Sequence, residues 1–132
     1  MKLVSTWVRG PVGERGQAAL ELALALPLLA VLLLAVIQVA LVVRDQVLVV
    51  HAAREAARAA AVDPSPDAPR RAALAGAPLA PGRLQLHLSG ARHQGRPVEV
   101  TVSYRAATVV PIVGPLLPDV SLRARASMRV EA

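Results

Sequence analysis

The chain contains no cysteine, which excludes disulfides, thiolate metal centres and cysteine nucleophiles and leaves the redox compartment open. Aromatic residues are almost as scarce: Trp7 and Tyr104 are the whole supply in 132 residues. Single-stranded nucleic acids are held on successive aromatic stacking platforms, so the cationic excess of this chain is not a nucleic-acid footprint. That excess is a formal +6, from 15 lysines and arginines against 9 acids, spread without a run. It reads as a solvated face or a contact with acidic lipid headgroups.

Charge is missing altogether from Leu22 to Val43, where Gln38 is the one strongly polar side chain. These roughly 22 residues, at about 1.5 Å each, cross a ~30 Å hydrocarbon layer as a helix. The run is too long for the apolar core of a secretory signal peptide, about 7–15 residues, so a single-pass membrane protein is expected. About 90 residues follow, enough for one small domain that would be marginal without help from the helix or from other subunits.

Residues 1–16 carry Lys2, Arg9 and Arg15 and the breakers Gly10, Pro11, Gly13 and Gly16, and read as a leader without stable structure. Arg44, Arg54 and Arg58 balance the three cations on the amino side, so flanking charge leaves the orientation undecided. Beyond the transmembrane helix (17–43), an amphipathic extension runs over 44–62. On it Arg44, His51, Arg54, Glu55 and Arg58 share one face, and Val49, Ala53, Ala56 and Ala60 line the other. The alanines serve either as good helix formers or as a smooth surface for a sheet to approach. Asp63-Pro64-Ser65-Pro66 ends the helix. A proline-rich linker (63–82) follows, with a short helical turn over Arg70–Leu74.

In the remainder (83–132) the period becomes two. Leu84, Leu86 and Leu88 alternate with polar residues, as do Val98, Val100, Val102 and Tyr104, and again Val120, Leu122, Ala124, Ala126, Met128 and Val130. This predicts three half-buried antiparallel strands, the first two joined by a loop over Gly90–Gly95. The alanine side of the helix is the nearest cover for their apolar face. The expected fold class is therefore an α+β membrane protein, with a long amino-terminal helix leaving the bilayer and a small antiparallel sheet packed on it. The apolar stretch Val109–Pro118 holds three prolines and is too short for a second span. It is expected to fold back over its own sheet, with docking on a partner or the membrane surface as the alternative.

No catalytic, cofactor-binding or metal site is legible. His51 and Glu55 lie four apart, but two ligands are not a site, and Arg54 and Arg58 beside them predict a surface ion-pair ladder. His87 and His93 have no acid or serine at a revealing spacing, and no nucleophile motif, phosphate-binding glycine loop or carboxylate dyad occurs. The chain is not expected to be an enzyme.

One motif does carry chemistry. Gly16-Gln17-Ala18-Ala19-Leu20-Glu21 stands directly before the span. A carboxylate there is costly, up to about 2.5–3.5 kcal/mol at a bilayer centre and less near its edge, and so asks for a partner or a purpose. The arrangement resembles a type IV prepilin leader, a short basic segment cut after glycine, here Gly16, with glutamate at the fifth mature position, here Glu21. Arg15–Glu21, the step Leu26-Pro27-Leu28-Leu29, the segment Ala52–Arg58, the strand Val98–Tyr104 and the closing Ala124–Glu131 are similar to TadE-like proteins. These are pseudopilins of the tight-adherence (Tad/Flp) pilus and secretion apparatus.

The resemblance implies a minor structural subunit in the cytoplasmic (inner) membrane, amino end cytoplasmic and domain extracytoplasmic. It implies maturation by a prepilin peptidase that reads Gly16, Gln17 and Glu21. The implied partners are that peptidase, other pilin or pseudopilin subunits and the lipid bilayer, with no cofactor and no nucleic acid. Gln17 departs from the apolar first mature residue usual in prepilins. Glu21 is assigned to assembly and Pro27 to assembly or a helix bend; the plainer alternatives are a carboxylate favouring a helix end and a proline that only bends a span. A reading from another class is an uncleaved, single-pass, membrane-anchored binding module facing the extracytoplasmic side.

Overall fold

Leucine, alanine and valine dominate the first half of the chain, and the backbone responds with one helix, α1, from Val12 to Val62. The computed structural model describes residues 12–112 and 114–131, with side-chain surroundings from Gly16 onward. Lys2, Trp7, Arg9, Gly10, Pro11, Val113 and Ala132 lie outside the described residues. Val12–Gly16, expected to be unstructured, is helical instead. Extending a formed helix adds one hydrogen bond for each residue fixed, without a second nucleation cost, so the glycines there are tolerated. The helix contains Pro27 without interruption. Gly16–Val62 is long and apolar enough to cross a membrane, and its most apolar stretch is almost wholly exposed, as a lipid-facing helix requires.

The helix ends where the prolines predict. The Asp63 amide still donates to the Ala59 carbonyl at 2.8 Å, and the Asp63 carboxylate then accepts from the Ser65 amide at 2.8 Å. This turn, together with Arg71 at 3.8 Å, holds the Asp63 carboxyl below its usual range. The proline-rich segment is more ordered than a linker. Ala68–Gly76 forms a second helix, α2, which begins with Pro69 in its first turn, where a missing amide proton costs nothing. Ala68, Pro69, Ala73 and Ala77 are buried, and α2 packs on α1 so closely that a Cβ on Gly76 would stand 2.9 Å from Glu55 Cγ.

Strands β1 (Leu84–Ser89), β2 (Pro97–Ala106) and β3 (Val120–Arg129) form one antiparallel sheet in the order β1-β2-β3. Leu86 pairs with Val102 and Leu88 with Val100, while Val100 pairs with Ala126 across the other edge. The period-two apolar sets therefore share one face. Gly90, at φ +98° and with Pro97 O where a Cβ would fall, makes the first hairpin turn possible only for glycine.

The inner face lies on α1, and the alanine side is its cover. Val49, Ala52, Ala53, Ala56, Ala57, Ala60 and Ala61 join Val98, Val100, Val102 and Leu122 in one core. At 100° per residue the buried positions sweep about 180° of the helix, wider than the ~100° stripe one contact needs, because the sheet and α2 both cover it. Small side chains let both elements come close. Two polar contacts show how β3 runs along α1. Gln46 Nε2 donates to the Arg123 carbonyl at 3.3 Å, and the Glu131 amide donates to the Ala61 carbonyl at 3.1 Å. Fifteen helical steps cover about 22 Å and eight strand steps about 26 Å, so β3 climbs beside α1 away from the span.

Candidate functional site

The predicted site residues all lie on α1. Gly16, Gln17, Glu21 and Pro27 are exposed, as expected of a segment meant for lipid, a protease or another helix. Gln17 and Glu21 are one turn apart on the same face, separated by about 6 Å along the axis. Among the described residues no ion pair or side-chain hydrogen bond engages Glu21. The carboxylate is thus available to a cation from outside this segment, or to one created at Gln17. Gly16 sits in helical backbone with open space around it. Glycine is the weakest helix former after proline, by about 1 kcal/mol relative to alanine, so the helix is most easily unwound here. Pro27 has no amide proton, which leaves the Ala23 carbonyl without its helical donor.

The expected ion-pair ladder does not form. His51, Arg54, Glu55 and Arg58 are exposed on one face, but among the described residues the ion pairs are Asp63–Arg71 and Glu99–Arg125. Exposed pairs gain too little in water to hold long side chains in one geometry, and Glu55 lies instead against Gly76 of α2. No group of three or more His, Asp or Glu that could hold a metal ion occurs among the described residues.

Two features had weaker sequence signals. Gln38, in the span, is only 6% exposed and its Oε1 has no hydrogen-bond partner. It lines a cleft of about 380 Å³ with Val39, Val42, Val43, Thr108, Leu117, Pro118 and Val120. The connection between β2 and β3 therefore leans on the carboxyl-terminal end of the apolar run, at Gln38–Val43. It does not fold back over its own sheet, whose inner face is already taken by α1. Elsewhere, Arg83, Arg105 and Arg123 line a cleft of about 490 Å³ with Gln85, Ser103, Tyr104 and Ser121. The alternation placed Arg105 and Arg123 on the outer face; their gathering with Arg83 depends on strand register.

The family model described as TadE-like protein matches residues 16–58, bearing out the resemblance over the motif, the span and the first part of the extension. TadE-like proteins are structural and pilus-associated and are not known as enzymes. No curated protein and no solved structure matches the chain.

Proposed function

We propose that the chain is a minor pseudopilin-like structural subunit of a Tad/Flp-type pilus assembly and secretion apparatus. In this reading it is matured by prepilin peptidase cleavage after Gly16 and anchored in the cytoplasmic membrane with its α/β domain outside. The observation that carries the reading is the coincidence of three features in the matched segment: Gly16 with Glu21 at its start, an exposed apolar helix, and Ala52–Arg58 at its end. The domain that follows is an addition to the short, mostly helical design usual for a major pilin, which favours a minor or initiating role.

Cleavage would leave an ammonium at Gln17 one helical turn from Glu21. Unit charges ~4 Å apart at an effective dielectric of ~20 attract by about 4 kcal/mol, comparable with the cost of holding a carboxylate at the membrane boundary. The partner ammonium belongs to the same chain or to a neighbour.

Co-expression with a matching prepilin peptidase should remove Met1–Gly16, read by mass spectrometry of the intact mature chain. Gly16→Leu should abolish the cut, because a branched side chain fills the protease cleft and strengthens the helix that must unwind. The helix running through Gly16 favours the second reading, an uncleaved anchored binding module; a wild-type chain that keeps its leader under these conditions would overturn the pseudopilin reading.

Orientation is tested separately. Alkaline phosphatase fused after Ala132 should be active, since it folds only outside the cytoplasm. Activity of a cytoplasmic reporter at the same position, with a silent phosphatase, would reverse the topology and the assignment with it.

A further inference from the structure

We propose that the connection between β2 and β3 is a second membrane contact, in which Val109, Ile112, Leu116 and Leu117 enter the outer edge of the acyl layer while Arg83, Arg105 and Arg123 face the phosphates above it. The occupant of this apolar surface is the lipid that already surrounds the span, and the inference needs only that the span is in a bilayer.

Val109, Ile112 and Leu116 are 73%, 65% and 78% exposed, and Leu117 is exposed beside them, an apolar patch that water does not favour. The connection is continuous with the span: Leu117, Pro118 and Thr108 share a cleft with Gln38, Val39, Val42 and Val43. Gln38 lies six residues before Arg44, about 9 Å along the axis, so with Arg44 at the boundary the connection reaches below it. By covering Gln38 it also keeps an amide away from lipid, where polar groups are expensive.

Lipid-exposed irregular backbone is excluded from the hydrocarbon core, so the contact stays at the edge of the acyl layer, where polar groups that lose water must be met within the chain. Pro111, Pro115 and Pro118 have no amide proton. The Gly114 amide donates to Val110 O at 2.7 Å, the Leu117 amide to Gly114 O at 3.3 Å, and Thr108 Oγ1 to Pro118 O at 3.4 Å. Ile112 adds an independent sign. Its φ is +72°, a conformation costly for a β-branched residue and cheap for glycine or asparagine. An exposed isoleucine held there is explained by a need for apolar area at that point.

The charges lie where headgroups would be. Arg105 is next to the last residue of β2 and pairs with Ser121, and Arg123 stands two residues further up β3, about 7 Å, matching the ~5–7 Å headgroup layer on each side of a bilayer. Among the described residues no carboxylate lies within ion-pair distance of Arg83, Arg105 or Arg123. Arg44 adds a fourth cation at this level, against Asp45 and Asp119.

The absence of cysteine makes the test direct. Ile112→Cys, Leu116→Cys and, as a control on the distal outer face, Ser127→Cys are introduced singly into the full chain. Each is labelled with a fluorophore and reconstituted in phosphatidylcholine vesicles. Labels at 112 and 116 should be quenched several-fold more by acyl-chain bromines than by aqueous iodide, and the label at 127 the reverse. Phosphatidylglycerol should increase bromine quenching in the parent chain and not in the Arg83→Gln, Arg105→Gln, Arg123→Gln triple variant. Iodide quenching at 112 and 116 equal to that at 127 would overturn the proposal. Protection from both quenchers would do the same, showing a second copy of the chain in place of lipid. Lipid-charge dependence that survives in the triple variant would remove the arginines from the contact.

Discussion

Val100→Asp is expected to unfold the domain beyond the span while leaving the span inserted. Val100 has no exposure, pairs with Leu88 and Ala126, and belongs to the core made with the alanines of α1. Among the described residues the buried polar or charged side chain is Gln38, which is no cation, so a carboxylate there has no partner. The penalty for burying an unpaired ion is several kcal/mol even after relaxation. A domain of this size has about 5–10 kcal/mol of stability in total, so most of the margin disappears. Limited proteolysis of proteoliposomes should cut the variant throughout the segment after Val43 at a protease level the parent resists, with the span retained. Thr101→Asp is the control: one residue on, the side chain belongs to the outer face, opposite His87 and Arg125, and a carboxylate should change stability by less than about 0.5 kcal/mol. Equal sensitivity of the two variants would mean that the sheet does not present this face to α1.

Glu21→Gln is expected to abolish most span-to-span association without blocking insertion or cleavage. Glutamine keeps the size and deletes the charge, so insertion becomes slightly easier, and a peptidase that reads mainly Gly16 still cuts. On the proposed cleavage after Gly16, what is lost is the attraction of about 4 kcal/mol to the ammonium at Gln17, roughly a thousand-fold in an association constant if all of it is realised between chains. Crosslinking between spans at equal amounts of mature protein should fall steeply, as should piliation if this subunit primes the filament. Unchanged crosslinking and piliation would return Glu21 to a plain helix-end role. A fall in cleavage would show instead that the peptidase reads the carboxylate.

The anchor, the end of α1, the strands and their inner face were legible because each is a local repetition. A charge-free run measures itself against bilayer thickness, Asp63-Pro64 removes donors at a definite residue, and alternation assigns Val98, Val100 and Val102 to one face whatever lies above them. The alanine face was equally visible, although two explanations fitted it until the sheet and α2 were seen to share it. Other readings misjudged competing local signals. Prolines that read as a linker also start α2, since proline breaks a helix interior and suits its first turn. Gly13 and Gly16, which read as part of a loose leader, sit in a helix continued from the span.

By itself, then, the sequence determined that this chain has an apolar helix long enough to cross a membrane, a glycine and a glutamate at its mouth, and a three-stranded sheet with one apolar face, because these follow from residue type and from periods of 3.6 and 2. Only the tertiary structure decided that the β2–β3 connection rests on Gln38–Val43, that Arg83, Arg105 and Arg123 gather at the sheet's lower end, and that Glu55 lies against Gly76 instead of joining an ion pair. Those outcomes join residues far apart in the chain, or choose among interactions of nearly equal strength. No local period encodes them; they are settled when the sheet closes on α1 and leaves the connection no inner face to cover.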